Sequence, residues 1–310
     1  MIVTLTANPA IDRTISVDRL VFEDRGYILS TTESAGGRGI NASTVLHSFG
    51  SETLAILVSG GENGKCLEKL LSGSGYPFEV VRIAAEIRTN MSISDQQGLT
   101  VKLNELGPVV TDAETASLEK AVAARLEGVS WLMLCGSLPP TMDTDIYCRL
   151  IETASKGGVR TLLDTDGDAL LHGIGSGPTV VKPNHQEAER LLNRALITRV
   201  QFLDAVTRIK AMGARAVMLS LGARGVVATD GTETLEVVPP RVDALCPIGA
   251  GDASAAAYVW AAESGKPFSD CVRWAVAAGT ASARLPGITF ASFEQTQAIY
   301  KAVEIRPISQ

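Results

Sequence analysis

The residues at positions 249–252 combine a phosphate-binding pattern with an acidic side chain. Gly249-Ala250-Gly251-Asp252 ends a glycine-rich turn and leads directly into a run of small residues with helical character. Glycines let a backbone approach a phosphate closely, and the first turn of a helix supplies N–H donors and the positive end of the helix dipole. Asp252 therefore has two interpretations: an acidic residue favoured by the helix dipole, or a general base beside a bound phosphate.

A second group of polar residues lies near the N-terminus. Asp12 follows the first predicted strand, and Gly37 and Asn41 lie at the opening of the next predicted helix. Ligands collect where the carboxyl ends of parallel strands meet helix N-termini. Asp12 is therefore either a ligand for sugar hydroxyls or a simple turn residue. Together, the two groups indicate a polar ligand on one side and a phosphate donor on the other.

Two nucleotide-binding fingerprints are missing from the sequence. Residues 60–66 resemble a Walker A loop, but the spacing is one residue short and Cys66 stands where Ser or Thr is required. No G-x-G-x-x-G motif opens a helix after a predicted strand. These differences argue against a P-loop enzyme and against a dinucleotide-binding enzyme.

Composition narrows the possible functions further. The 310 residues include 28 Lys and Arg against 34 Asp and Glu, and this acidic balance argues against nucleic-acid binding, which draws most of its affinity from neutralised phosphates. Charged residues interrupt every long apolar stretch and the N-terminus lacks a basic signal-peptide start, so we expect no membrane association and a cytoplasmic location. With only 3 His, far apart, a histidine-based metal site is not expected.

Short apolar runs alternate with helix-length segments over most of the chain. The runs are continuously apolar, as in strands covered on both faces. They predict strands at residues 2–7, 53–59, 131–135, 160–164, 179–181 and 216–220. This repetition predicts one α/β domain over residues 1–310, with a doubly wound, mostly parallel central sheet covered by helices on both faces.

Two regions have the alternating pattern of strands with one face in water. These are residues 13–19 and the pair 89–95 and 99–104, which a Gln96-Gln97-Gly98 turn joins. Such strands do not fit a parallel core. We therefore predict a small antiparallel β lobe, formed by insertions near residues 13–34 and 88–106, that projects from the α/β body.

Six segments resemble, in order and spacing, the motifs of the phosphofructokinase B type sugar kinases, which have the ribokinase-like fold. They are Asn8-Pro9-Ala10-Ile11-Asp12, Gly36-Gly37-Arg38-Gly39-Ile40-Asn41, Gly136-Ser137-Leu138-Pro139-Pro140, Lys182-Pro183-Asn184 with Glu187, Ser220-Leu221-Gly222-Ala223-Arg224-Gly225 and Gly249-Ala250-Gly251-Asp252. The resemblance covers essentially the whole chain and is closest to the branch that holds 1-phosphofructokinase, tagatose-6-phosphate kinase and the minor 6-phosphofructokinase. It implies an ATP-dependent kinase that phosphorylates a primary hydroxyl of a ketohexose phosphate, with fructose 1-phosphate as the best single acceptor.

The resemblance also implies a role for each matched residue. Asp252 matches the family's catalytic base, and the backbone N–H groups of four residues match its anion hole: Gly249, Ala250, Gly251 and Asp252. The acceptor-binding positions are Asp12, Gly37, Arg38, Asn41, Arg88, Asn90 and Ser137. The ATP-binding positions are Lys182, Asn184, Glu187, Ser220, Gly222 and Gly225, with Glu187 holding Mg²⁺ through water. The lobe matches the family's lid, often its dimer interface, so a homodimer through the lid is expected.

The acceptor site departs from the family pattern. Arg38 stands where the family usually has Lys, and Asp166 stands where Ser is usual. Arg38 and Arg88 nevertheless favour an anionic acceptor, because a buried guanidinium without a counter-charge is costly. The alternatives are a 6-phosphofructokinase, a tagatose-6-phosphate kinase, a kinase of an unphosphorylated sugar, or a sugar-phosphate sensor without useful turnover.

Overall fold

A computed structural model describes residues 1–21 and 23–308 of the chain. Within these residues, strands β1 to β14 occupy Ile2–Thr6, Ala10–Val17, Ile28–Gly36, Thr53–Ser59, Phe78–Arg82, Arg88–Asp95, Thr100–Asn104, Trp131–Cys135, Arg160–Asp164, Val180–Val181, Ala216–Ser220, Val226–Thr229, Thr234–Val238 and Glu304–Pro307. Helices α1 to α10 occupy Arg38–Ser48, Gly61–Leu71, Asp112–Ala124, Ile146–Lys156, Gly167–Gly175, His185–Leu192, Arg199–Ala211, Ala250–Glu263, Phe268–Ala283 and Phe293–Tyr300, and a short 3-10 helix occupies Gly222–Arg224. Phe22, inside the predicted lid segment 13–34, lies outside the described residues, as do Ser309 and Gln310.

Ten of these strands form one sheet in the order β14-β13-β12-β11-β10-β9-β8-β1-β4-β5. The strands from β11 to β5 run parallel, whereas β12, β13 and β14 pair antiparallel at one edge. All six strands predicted from continuous apolar runs are present, each within one residue of its predicted bounds. The predicted fold class, a mostly parallel α/β sheet, is therefore confirmed.

The two faces of this sheet pack into two separate apolar layers. Val3 and Leu5 of β1 lie in the layer that contains residues of α2 to α7, and Ile2 lies in the layer that contains residues of α8, α9 and α10. All three side chains are at most 1% exposed. Because successive side chains of a strand point to opposite faces, covering both faces requires the continuous apolar runs seen in the sequence. No helix in the described part of the chain is long and apolar enough to cross a membrane.

The carboxyl ends of the parallel strands lie along one edge of the sheet, and polar residues stand there. These residues are Asn8, Ser137, Asp164, Lys182 and Ser220, which end or follow β1, β8, β9, β10 and β11. In an open α/β sheet this edge is where ligands bind. The topology thus brings together residues that are far apart in sequence.

The second sheet, which we call the lobe, contains four strands in the order β3-β2-β6-β7. β2 pairs antiparallel with β3 and β6 pairs antiparallel with β7, as the predicted hairpin requires. The central pair β2 and β6 runs parallel, however, with Ala10 opposite Arg88 and Asp12 opposite Asn90. The lobe is thus two antiparallel hairpins joined by a parallel pair, because β2 and β6 follow the parallel strands β1 and β5 and leave the main sheet at the same edge.

We expect the truncation Leu5→Ala to lower the free energy of unfolding by about 2–5 kcal/mol, because it removes a fully buried side chain from the central strand and leaves a cavity. The matched control Leu171→Ala, at a residue 45% exposed in α5, should change that free energy by only about 0.5 kcal/mol. Urea unfolding of both variants at one fixed protein concentration checks this. Equal losses in the two variants would contradict the assignment of β1 to the core.

Candidate active site

Helix α8 begins at the glycine-rich turn and places Asp252 in its first turn. Gly249 precedes the helix with a φ of 81°, in the left-handed region that favours glycine. The N–H groups of Gly251 and Asp252 have no carbonyl partner one turn back, since the helix starts at Ala250. The α8 N-terminus therefore presents free backbone donors and the positive end of a helix dipole, as an anion site requires.

The Asp252 carboxylate is half-buried and held by one amide. Asn41 Nδ2 donates a hydrogen bond of 2.7 Å to Asp252 Oδ2. Burial, helped by the charge of Asp164, raises the pKa of Asp252 to about 6, while Asn41, Arg38 and Lys182 act in the opposite direction. At neutral pH the carboxylate is thus mostly ionised, yet it is a stronger base than an exposed Asp.

A buried ion pair lies next to this helix start. Lys182 Nζ is 3.0 Å from Asp164 Oδ2, and the two side chains are 4% and 3% exposed. Burial disfavours the charged ammonium, but the charges of Asp164 and Glu187 outweigh it and raise the pKa of Lys182. A Cβ atom on Gly251 would lie 3.5 Å from Lys182 Nζ, so the ammonium stands directly beside the free N–H groups of α8.

Arg38, the first residue of α1, lies on the other side of Asp164. Its Nη1 donates to Asp164 Oδ1 at 3.1 Å, and its Nη2 donates to Asp166 Oδ2 at 3.0 Å and to Glu187 Oε1 at 3.4 Å. The argument that Arg38 needs an anionic acceptor as its counter-charge is therefore wrong. Three carboxylates of the protein supply the counter-charge, and they were not evident because they lie 126–149 residues away in sequence.

Glu187 is fixed by the start of α6. Asn184 Oδ1 accepts from the Glu187 N–H at 2.9 Å, and Glu187 Oε2 accepts from the Asn184 N–H at 2.8 Å, which is a reciprocal capping box. The cap occupies Oε2, so Oε1 is left to face Arg38. Burial raises the pKa of Glu187. We call the six residues Arg38, Asp164, Asp166, Lys182, Glu187 and Asp252 the charged cluster.

The Ser220 turn lies beside the Asn184 segment. Ser220 and Asn184 form an isolated β-bridge, which brings the end of β11 against the start of α6. Gly222 and Gly225 have φ values of 62° and 94°. A Cβ atom on Gly225 would lie 2.1 Å from the carbonyl oxygen of Val237, so only glycine fits there. The structure thus brings all six residues predicted to bind ATP together at the carboxyl ends of β10 and β11. We call this region, together with the charged cluster and the lobe residues described next, the cleft.

The lobe end of the cleft contains Asp12. Asn90 Nδ2 donates to Asp12 Oδ1 at 2.8 Å across the parallel β2–β6 pair. Burial raises the pKa of Asp12, against the effects of Asn90 and Arg88. A Cβ atom on Gly36 would lie 2.4 Å from the Asp12 carboxyl carbon, and Gly37, with a φ of 140°, is the N-cap of α1. Gly36 thus lets the chain pass close to this carboxylate, and Gly37 allows a close approach to Thr6.

Arg88 and Asn8 complete the lobe end. Arg88 donates at 3.0 Å to the carbonyl oxygens of Glu105 and Asn8. Asn8 Nδ2 donates to Leu106 O at 2.9 Å and to Ser137 Oγ at 3.4 Å. Among the described residues, Asn8 Oδ1, Arg88 Nε and Asn90 Oδ1 are buried without a hydrogen-bond partner. Because native structures leave few such atoms unpaired, these three atoms make the lobe end a candidate position for a polar ligand.

The residues predicted from the sequence thus fall into two groups, one made of the charged cluster with its neighbouring turns and one at the lobe end, with Asn41 between them. Arg38 belongs to the charged cluster rather than to the lobe end. Sequence reasoning missed Asp164 as a site residue. The sequence feature that could have identified it is an acidic residue at the end of a buried strand, next to the strand that Lys182 follows.

Comparison with known proteins gives a consistent result. The model of the pfkB family carbohydrate kinases matches residues 5–295. The chain is 30% identical over 281 residues to a 1-phosphofructokinase of Rhodobacter capsulatus. The matched region covers 89% of this chain and 88% of that protein. It is also similar to phosphofructokinase-2 from Escherichia coli in complex with potassium, at 30% identity and a TM-score of 0.92, covering 97% of this chain and 98% of the other. That enzyme has also been solved in complex with fructose-6-phosphate, with a TM-score of 0.89 and the same identity and coverage.

We expect the Asp252 carboxyl to titrate with a pKa of about 6 in the free protein, because burial and Asp164 disfavour its charged form. The substitution Asn41→Ala should raise this pKa further, since it removes the hydrogen bond that favours the ionised carboxylate. Carboxyl-carbon NMR of protein labelled at Asp, assigned with Asp252→Asn, measures both values. A pKa near 4 in the unsubstituted protein would contradict the described environment.

Proposed function

Because the chain belongs to the pfkB family of carbohydrate kinases, we propose that it transfers the γ-phosphoryl group of ATP to a primary hydroxyl of a ketohexose phosphate, with fructose 1-phosphate as the acceptor. The observation that carries this proposal is the position of Asp252. Its carboxylate lies in the first turn of α8, beside free N–H groups and the Lys182 ammonium. A base and an anion site are thus adjacent, which phosphoryl transfer to an alcohol needs.

Asp252 acts as the base in this scheme. It takes the proton from the acceptor hydroxyl as the oxygen of that hydroxyl forms a bond to the γ-phosphorus, and the bond from the γ-phosphorus to the bridging oxygen breaks to release ADP. The hydrogen bond from Asn41 holds the carboxylate in one orientation. A pKa of about 6 keeps Asp252 ionised at neutral pH while leaving it basic enough to accept the proton.

The N–H groups of Gly251 and Asp252 receive the charge that develops on the transferring phosphoryl oxygens. Lys182 adds a positive charge beside them, and its bond to Asp164 keeps its ammonium in place. These donors are fixed before the substrates bind, so the protein does not have to reorganise during the reaction. Ser220, Gly222 and Gly225 would bind the nucleoside end of ATP, because the Ser220–Asn184 bridge places that turn beside the start of α6, which follows Lys182 in the chain.

Three carboxylates of the cluster, those of Asp164, Asp166 and Glu187, are engaged by Arg38 and Lys182. Across residues 1–21 and 23–308, no group of three or more His, Cys, Asp or Glu side chains is arranged to hold a metal ion. Mg²⁺ therefore fits as a companion of ATP, bound mainly by phosphate and water, with Glu187 contacting it through water. When bound in this way, Mg²⁺ neutralises charge on the phosphates.

The lobe end binds the acceptor in this proposal. Asp12 and Asn90 are suited to sugar hydroxyls, and Arg88, whose Nε has no partner among the described residues, is suited to the acceptor's phosphate. Fructose 1-phosphate is favoured because the Rhodobacter capsulatus relative is a 1-phosphofructokinase. Fructose 6-phosphate is the second candidate, since phosphofructokinase-2 from Escherichia coli is equally identical and was solved in complex with it.

We expect the purified protein to release ADP from ATP and Mg²⁺ with one ketohexose phosphate, at a kcat/KM of about 10⁴ M⁻¹s⁻¹ or more. The kcat/KM for fructose 1-phosphate should exceed that for fructose 6-phosphate, tagatose 6-phosphate and free fructose when the four are measured side by side. A preference for fructose 6-phosphate would change the proposed acceptor but leave the proposed class of reaction unchanged. No turnover on any of them, with nucleotide binding intact, would favour a sugar-phosphate sensor.

The variant Asp252→Asn should lower kcat by about 10²–10⁴-fold while nucleotide binding is kept, because it removes the base and leaves the backbone donors in place. Asp168→Asn is the matched control, since Asp168 is an exposed acidic residue in the first turn of α5. It should leave kcat within about 2-fold, as expected where an Asp only interacts with a helix dipole. A similarly small effect at Asp252 would exclude the base and leave only the helix-dipole interpretation.

We further propose that the lobe forms a homodimer interface. It carries an exposed set of apolar side chains: Tyr27, Ile28, Leu29, Leu99, Val101, Leu103 and Leu106, each between 36% and 80% exposed. Apolar groups concentrated on one small sheet are typical of a surface that another protein covers. A second copy of the chain is the simplest such partner. The related phosphofructokinase-2 from Escherichia coli has been described in a tetrameric inhibited form.

Sedimentation velocity should give the mass of a dimer for the unsubstituted protein. Replacing Val101 and Leu103 of β7 by Lys should shift it to a monomer, because four buried charges would be placed in the two-fold interface. The matched control replaces Ile197 and Val200 by Lys. These two residues lie outside the lobe and are 73% and 72% exposed, so this variant should remain a dimer. A monomeric unsubstituted protein would contradict the interface, as would equal behaviour of the two double variants.

A further inference from the structure

The guanidinium of Arg38 joins three carboxylates that belong to three different elements. Asp164 ends β9, Asp166 immediately precedes α5, and Glu187 lies in the first turn of α6. Arg38 contacts them at 3.1, 3.0 and 3.4 Å. A planar fork of donors suits this arrangement, whereas the point charge of a lysine would not span it.

The charged cluster contains more carboxylates than cations. Arg38 and Lys182 face Asp164, Asp166, Glu187 and Asp252, so removing Arg38 would leave Lys182 alone among four acidic groups. Partly buried carboxylates without a cation repel one another and lose solvation. The arginine thus balances the charge of these groups and holds them close together.

Arg38 is also linked to the proposed base. It is the first residue of α1, and Asn41 lies three residues later in the same helical turn. Asn41 donates to Asp252 at 2.7 Å, so the contacts that hold the start of α1 also hold the amide that orients the base. A shift of the Arg38 end would move Asn41 with it, because residues within one helical turn are rigidly related.

Resting on the function proposed above, we propose that Arg38 is a positioning residue for phosphoryl transfer. It holds Asp164, Asp166 and Glu187 together and fixes the start of α1, while recognition of the acceptor's phosphate belongs to the lobe end. To contact that phosphate, the guanidinium would have to leave Asp166 and Glu187, which have no other ion-pair partner among the described residues, and such a loss is costly. Arg38 therefore affects the rate of the reaction and not the preference for a phosphorylated acceptor.

The test compares Arg38→Met, Asp166→Asn and the double variant, with Arg38→Lys as the conservative change. Arg38→Met should lower kcat about 10²-fold through misplacement of the reacting groups. The KM for the phosphorylated acceptor should change less than about 3-fold, and the ratio of kcat/KM between fructose 1-phosphate and free fructose should stay the same. The double variant should recover part of kcat, because Asp166→Asn removes one unpaired carboxylate. The kcat of Arg38→Lys should lie between that of the unsubstituted protein and that of Arg38→Met.

A rise of 10-fold or more in the acceptor KM of Arg38→Met, with kcat retained and the preference for the phosphorylated sugar lost, would overturn the proposal. Thermal unfolding provides a readout that does not depend on activity. Arg38→Met should lower Tm, and the double variant should regain part of the loss, which is the coupling expected of a direct ion pair. Additive Tm changes would overturn the positioning role even if the unsubstituted protein had no activity on any sugar phosphate, an outcome that would by itself overturn only the proposed function.

Discussion

The Asp164 carboxylate is shared by two cations, and the rest of the site depends on that sharing. Lys182 lies 3.0 Å from one oxygen and Arg38 lies 3.1 Å from the other, while the Asp164 side chain is 3% exposed. A buried charge without partners is strongly destabilising, so the almost fully buried Asp164 and Lys182 require each other, whereas Arg38, which is 31% exposed, adds a second cation to Asp164. Because they come from β9, the segment after β10 and the start of α1, this contact fixes three elements at one edge of the sheet.

The two ends of the cleft differ in how completely their polar groups are paired. In the charged cluster, carboxylates and cations contact one another directly. At the lobe end, Asn8 Oδ1, Arg88 Nε and Asn90 Oδ1 are buried without partners in the part of the chain that the structure describes. In the proposed function, Lys182 and the free N–H groups of α8 beside this cluster bind the phosphates of ATP, and the sugar completes the hydrogen bonds of the lobe end.

The sequence predicted the parallel core well because its physical signal is local. A run such as Trp131–Cys135 is apolar at every position only if both faces of its strand are covered. The hairpin of β12 and β13 and the edge strands β5 and β14 were not predicted. β3, with seven exposed residues in succession, has no apolar periodicity from which to predict a strand.

Long-range pairing was the part of the site that could not be predicted. The glycine-rich start of α8 and the Asn184–Glu187 capping box depend on neighbours in sequence and could be read directly from it. The partners of Arg38 depend on which strands become adjacent, and an acidic residue at a strand end does not specify its cation. For that reason Asp164 was missed, and the carboxylates that supply the counter-charge of Arg38 were not predicted.

The division of the cleft is the central claim, and hydrogen exchange measured by mass spectrometry tests it most directly. Adding Mg²⁺ and ATP should slow exchange at residues 182–187, 220–225 and 249–252, which contain the residues proposed to bind ATP. Adding fructose 1-phosphate alone should slow exchange at residues 8–12, 36–41 and 88–107 instead. Protection of residues 182–187 by the sugar phosphate, with residues 88–107 unchanged, would contradict the account.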